Sequence, residues 1–263
     1  MISKLRNEDF SLVLSGGGAL GIAHIGVLAD MQRLDLRPRE IVGTSMGGII
    51  GACYASGMDA EEIFTLIERF GRVTNWLKFS FSGNAVIEHD RIAEIFRNIF
   101  GEKRIGELAL PFKLVATELT HGHKRVFCAD DDVSVVDALL ATMAIPGIFE
   151  EIEIEGKIYG DGFLCANLAV DDATHHLVLA SDVLGEEAFE KALPDNLFKT
   201  ANVLEMFERS MRLLICNQTR QTLAHTKKEV LLLDIPTAGY KTYHFHKAEA
   251  IRKLGEGILW QKV

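Results

Sequence analysis

Basic side chains are in the minority in this sequence. It has 28 lysines and arginines against 37 aspartates and glutamates, a formal net charge of −9. A nucleic-acid binder carries a basic face, so the global field argues against DNA or RNA as a partner. The same field offers no general attraction to anionic lipid, so any membrane contact has to be local and apolar. Paired cysteines are also lacking. Cys53, Cys128, Cys165 and Cys216 are scattered without a C-x-x-C pair. That argues against a zinc or redox motif and fits free thiols in a reducing compartment. No stretch approaches roughly 18 uninterrupted apolar residues, so no transmembrane helix is expected. Met1–Asp9 is mixed and charged, without the apolar centre of a signal peptide. The expected location is the cytoplasm, with peripheral contact at a membrane as an option. Internal repeats and low-complexity linkers are absent.

What is present is an ordinary globular balance, with 48% hydrophobic and 25% charged residues. The 263 residues suit one large domain with a core that needs neither disulfide nor metal. Phe10–Leu14 reads as a buried strand entering the turn Ser15–Gly18, followed by an amphipathic helix over 19–34. Ile41–Gly43 is a second strand, turning at Thr44–Met46 into a small-residue helix over Gly47–Ala55. Strand–helix–strand–helix implies a parallel pair with a right-handed crossover. Asp59 and Glu62 form a capping-box pattern for a helix through Phe70. Further helices are expected over Asp90–Phe100, Ser134–Met143, Asn202–His225 and His246–Trp260. Further strands are expected over Phe112–Glu118, Lys124–Cys128, Leu177–Ala180 and Val230–Asp234. A hairpin at Glu155-Gly156 should join Ile152–Ile154 to Lys157–Tyr159. The expectation is a three-layer α/β/α fold with a mainly parallel central sheet.

Three motifs carry chemistry. Gly43-Thr44-Ser45-Met46-Gly47 matches G-x-S-x-G, the pattern that exposes a nucleophilic serine on a sharp strand-to-helix turn. The following helix aims its N-terminus at that site, where it favours developing negative charge. Gly16-Gly17-Gly18-Ala19-Leu20-Gly21 lets backbone amides converge on one anionic point, such as a tetrahedral oxyanion. Gly16, Gly18 and Gly21 also satisfy the dinucleotide pattern G-x-G-x-x-G. That reading needs an acid at the end of the second strand, where Gly43-Thr44-Ser45 stands instead. A P-loop is excluded because no Gly-Lys-Ser/Thr follows. Asp161-Gly162, after the hairpin, taken alone reads as a plain turn.

Taken together, these segments resemble the patatin-like phospholipases in both order and spacing. The resemblance rests on the loop Gly16–Gly21, on Gly43–Gly47, on Ala144–Phe149 and on Asp161-Gly162. His24–Leu28 and Asn167–Val170 support it. It is strong over residues 10–180 and loose beyond. It implies a single patatin-like acyl hydrolase domain over 1–263, with the helices and strand of 200–263 packed on it. It implies a Ser–Asp dyad, with Ser45 as nucleophile and Asp161 as base, and an oxyanion hole of the Gly16, Gly17 and Gly18 amides. Gly21, Gly43, Gly47 and Gly162 support those turns. The implied substrate is a lipid or other acyl ester, with no metal or organic cofactor. Three positions depart from the family pattern. Phe163 replaces the second glycine after the aspartate, Leu20 stands where a basic residue is common, and Ala169 stands where proline is common.

Other readings stay open. His175, His176, His225, His244 or His246 would complete a Ser–His–Asp triad, although Ser45 comes early for an α/β-hydrolase. A catalytically silent lipid-binding protein is the alternative outside enzymology. His121-Gly122-His123 and His244-Phe245-His246 lack a third metal ligand at a recognisable spacing, and Asp130–Asp132 reads as a solvated turn capping the following helix. His24 reads as a packed or capping histidine. Trp76–Phe81 fits a buried segment or an interfacial one.

Overall fold

The computed structural model describes residues 2–73, 89–146, 148–189 and 203–262. The Trp76–Phe81 stretch lies outside the described residues. Among the described residues, eight strands form one mixed sheet: β1 (Phe10–Leu14), β2 (Glu40–Thr44), β3 (Phe112–Glu118), β4 (His123–Phe127), β5 (Ile152–Ile154), β6 (Lys157–Asp161), β7 (Leu177–Asp182) and β8 (Glu229–Asp234). The order is β5-β6-β3-β2-β1-β7-β8, with β4 also pairing with β3. The run β3-β2-β1-β7-β8 is parallel, and the hairpin strands β4, β5 and β6 are antiparallel.

A short helix, α1 (Ile2–Asn7), precedes the sheet. Alternation along the strands divides the core into two layers. Phe10, Leu12, Leu14, Leu114, Leu177 and Leu179 face one layer, packed with α2 (Ala23–Arg33), α3 (Met46–Ala55) and α6 (Val135–Met143). The amphipathic α5 (His89–Phe100) packs on α6. Val13, Val42, Val115, Val178 and Ala180 face the other layer, against Leu168–Val170 and Leu223 of α7 (Val203–His225). Helices and loops on both faces make the expected α/β/α layering. The strands buried on both sides read as nearly continuous apolar runs for that reason.

Local chemistry sets the element ends. Ser134 caps α6 by accepting from the Asp137 amide at 3.0 Å. Asp59 and Glu62 bond reciprocally at 2.9 Å, forming the capping box of α4 (Ala60–Val73). Glu155 and Gly156 both have positive φ, at 52° and 75°, as a tight hairpin turn requires. Two expectations need correction. The first helix does not start as an α-helix at 19, because Gly18–Ile22 forms a 3-10 turn before α2. The last helix does not reach Trp260. α8 (Ala248–Gly255) stops where Glu256 becomes extended and Gly257 takes φ 78°. Among the described residues, no helix is long and apolar enough to cross a membrane.

Candidate active site

Strand β3 explains why residues 45 and 161 meet. It pairs with β2 from Phe112 to Val115, with β6 from Ala116 to Glu118, and with β4 from Leu114 to Glu118. The β4 register overlaps both others, so β4 takes one edge of β3, and β2 and β6 share the opposite edge. The parallel β2 ends at Thr44, opposite Val115, and the antiparallel β6 ends at Asp161, opposite Ala116. Two strand ends therefore meet head to head, and the next residue after β2 is Ser45. The fit is tight: a Cβ on Gly162 would lie 2.2 Å from the Val115 carbonyl and 3.0 Å from Thr44 Cγ2.

Ser45 Oγ donates a 2.7 Å hydrogen bond to Asp161 Oδ2. Asp161 Oδ1 accepts from the Phe163 amide at 3.0 Å. A backbone amide makes this contact, so any residue but proline at 163 can supply it. Asp161 is wholly buried and Ser45 is 6% exposed. Burial pushes the Asp161 carboxyl up to about 7, while the hydrogen bonds from Ser45 and Phe163 partly oppose that rise. The Asp161 backbone is fixed as well. Its amide donates to Ala144 O at 2.9 Å, and its carbonyl accepts from Thr117 Oγ1 at 2.9 Å.

Ser45 sits at the mouth of α3 with φ 52° and ψ −124°, a region costly for a residue with a Cβ. The neighbouring glycines make room. A Cβ on Gly43 would lie 2.5 Å from Gly48 Cα, and one on Gly47 would lie 2.5 Å from both the Leu14 and Ser15 carbonyls. A Cβ on Gly21 would meet Met46 Cγ at 2.6 Å. Thr142, at the end of α6 and buried, holds the turn. Its Oγ1 accepts from the Ser45 amide at 2.8 Å and donates to Val115 O at 2.5 Å. Sequence reasoning missed this residue. Its signal was a hydroxyl among the apolar residues of a predicted helix.

The three amides expected at the oxyanion are not equivalent. Gly16 lies against the serine, since a Cβ there would be 3.1 Å from Ser45 Cβ, but its amide donates to Asn167 O at 3.3 Å. The Gly17 and Gly18 amides make no hydrogen bond among the described residues. Ala19 N donates to Thr242 O at 2.7 Å, which fixes the far side of the loop, and Gly18 takes φ 54°. Asn167 is buried with an unpartnered Oδ1, and Asn167 N donates to Gln218 Oε1 at 2.8 Å.

The histidines fall elsewhere. Among the described residues, no histidine bonds to Ser45 or Asp161. His175 Nδ1 lies 3.0 Å from Ser11 Oγ near the opposite end of β1. His225 bonds the Gln221 carbonyl within α7, and His244 accepts from the Lys241 amide. His24 is buried behind the glycine loop. Its Nε2–H donates to Ser15 O at 2.9 Å, which leaves Nδ1 to accept from Ser181 Oγ at 2.8 Å. Burial lowers its pKa to about 4, so it packs as a neutral ring. Leu20, one of the departures from the family pattern, is fully buried in the core.

A family model for patatin-like phospholipases matches residues 12–174, more than half of the 263 residues. An uncharacterized NTE family protein of Mycobacterium tuberculosis is 30% identical over 184 residues, covering 68% of this chain and 50% of that one. Lysophospholipase NTE1 of Pyricularia oryzae is 30% identical over 188 residues, covering 69% of this chain and 12% of the fungal protein. The chain thus spans half the length of the first relative and a small part of the second. The crystal structure of VipD from Legionella pneumophila is similar with a TM-score of 0.51 at 14% identity, covering 96% of this chain and 66% of that one. That likeness concerns the fold alone.

Proposed function

The chain belongs to the patatin-like phospholipase family, and on that premise we propose that it is a serine lipid acyl hydrolase working through Ser45 and Asp161. The observation that carries the reading is the 2.7 Å contact from Ser45 Oγ to a buried carboxylate, with no histidine between them among the described residues. The Asp161 carboxylate takes the Ser45 proton as Oγ attacks the ester carbonyl. The Gly17 and Gly18 amides, free of protein acceptors among the described residues, stabilise the oxyanion. Gly16 joins them only if its amide leaves Asn167 O. Collapse of the tetrahedral adduct breaks the bond to the alcohol, which takes the proton from Asp161. Water then attacks the acyl–Ser45 ester and Asp161 accepts its proton; as the acyl–oxygen bond breaks, Asp161 returns that proton to Ser45 Oγ and the fatty acid leaves. Every step runs on groups of this chain and water.

Burial makes a carboxylate a useful base. An aspartate titrating near 3.8 holds a proton weakly at neutral pH, whereas one raised to about 7 is half ionised there and is a far better acceptor. Ser45→Ala and Asp161→Asn should each abolish turnover of short nitrophenyl esters and lysophospholipids. Wild type, but not Ser45→Ala, should be labelled by a fluorophosphonate. Full turnover by Ser45→Ala would overturn the assignment. Absence of both labelling and turnover in wild type would favour a silent lipid-binding protein.

A further inference from the structure

Helix α7 lies across the second face of the sheet, and its outward side is unusual for a surface helix. Phe207 is 65% exposed and Leu214 is 62% exposed, with Met206 and Leu213 also exposed. The spacings of seven and eight residues place these four on one face. The positions between and beyond them along the middle of that face are Ser210, Asn217 and Gln221. No charged side chain interrupts that stripe, whereas the outward side of a surface helix normally carries charge. Arg209 and Arg220 border it on one side, where Arg209 lies over the Phe189 ring and Arg220 bonds Glu186. The opposite side of α7 holds Arg212, Ile215, Cys216 and Thr219, all buried.

The stripe leads to the catalytic turn. One turn beyond Leu214, Gln218 Nε2 donates to the carbonyls of Phe163 and Leu164 at 3.4 and 3.5 Å. Those residues follow Asp161-Gly162, and Leu164 is itself exposed, as is Ile158 on β6. Gln218 thus ties α7 to the turn that follows the carboxylate.

We infer that this face of α7 docks the protein on the surface of a zwitterionic or neutral lipid aggregate. The inference rests on the acyl hydrolase reading for its choice of occupant. Two observations commit it to lipid. The helix that carries the stripe is tied through Gln218 to the turn after Asp161, beside the candidate site for an acyl ester, and the net charge of −9 gives no general pull toward anionic surfaces. Insertion of Phe207 and Leu214 is driven by apolar area and is therefore insensitive to salt.

The test is co-sedimentation of the full chain with phosphatidylcholine vesicles at low salt and at about 1 M sodium chloride, alongside hydrolysis of a water-soluble short-chain ester. Wild type should sediment equally at both salt levels. Phe207→Ser/Leu214→Ser should lose about tenfold or more of its vesicle partitioning, with short-ester turnover and thermal unfolding unchanged. Failure of wild type to sediment, or equal sedimentation of the variant, overturns the inference. So does a sedimentation-velocity result in which wild type is a dimer, the variant a monomer, and vesicle binding the same. If neither protein hydrolyses the ester but the variant still loses the vesicles, the docking face stands and the catalytic reading falls.

Discussion

The proton on Asp161 links stability to activity. Its carboxyl titrates near 3.8 when unfolded and is raised to about 7 by burial in the fold. The folded state therefore holds the proton more tightly than the unfolded state does. This contribution to stability is complete below the unfolded value and is lost as pH climbs through the folded one. Wild type should accordingly lose on the order of a few kcal/mol from this group between acid and pH 8. Asp161→Asn carries no ionisable group there, so it should be the more stable protein at pH 8, with the advantage shrinking toward pH 4. Denaturant titrations of both proteins across that range check the sign, and an advantage that grew toward acid would refute it. Activity runs the other way. On the proposed mechanism the carboxylate is the base, so kcat/KM should rise with pH and level off above about 7.

At the scale of elements, the site exists because β2 and β6 end against each other on one edge of β3. Thr142 ties α6 to that junction by holding both the Ser45 amide and the Val115 carbonyl. Thr142→Val keeps the shape and deletes the hydroxyl, which leaves two buried backbone groups unpaired. We expect a loss of about 1–3 kcal/mol in stability and a lower kcat with little change in KM, because the serine turn loosens while the rest of the site stays in place. Thr142→Ser should restore kcat; a merely packing role predicts the reverse, with Val unimpaired and Ser impaired. The same junction shows what was legible beforehand. Phe10–Leu14, Phe112–Glu118 and the Asp59–Glu62 capping box could be read from apolar runs and capping chemistry, since those signals are local. Ser45 and Asp161 were named from motifs. Nothing local showed that three strands share the two edges of β3, nor that Gly16 donates to Asn167 O. The overlong last helix failed for a related reason: its apolar periodicity continues past Gly255, but the backbone does not.

At the scale of the molecule, the family match ends at residue 174, yet the site leans on segments beyond that point. β7 pairs with β1 from Phe10 to Leu14, and β8 pairs with β7 from Leu177 to Asp182. Thr242 O fixes the glycine loop through Ala19 N. α8 backs onto α2, the helix that begins at the end of that loop. A Cβ on Gly255 would lie 1.9 Å from Ala23 O, and one on Gly26 would lie 2.4 Å from Arg252 O. These are backbone-to-backbone contacts that no rotamer change can relieve. Gly255→Ala must therefore push α8 off α2, at a cost of about 1–3 kcal/mol for an overpacked contact. If residues after 200 fold as one unit with the motif-bearing part, this remote change lowers a single calorimetric transition by several degrees, about 2–4 °C per kcal/mol at this chain length. Near-ultraviolet circular dichroism and loss of ester turnover should follow the same curve. Two separate transitions, with turnover surviving the first, would mean that the C-terminal segment is an independent appendage and that the glycine loop holds its shape without it.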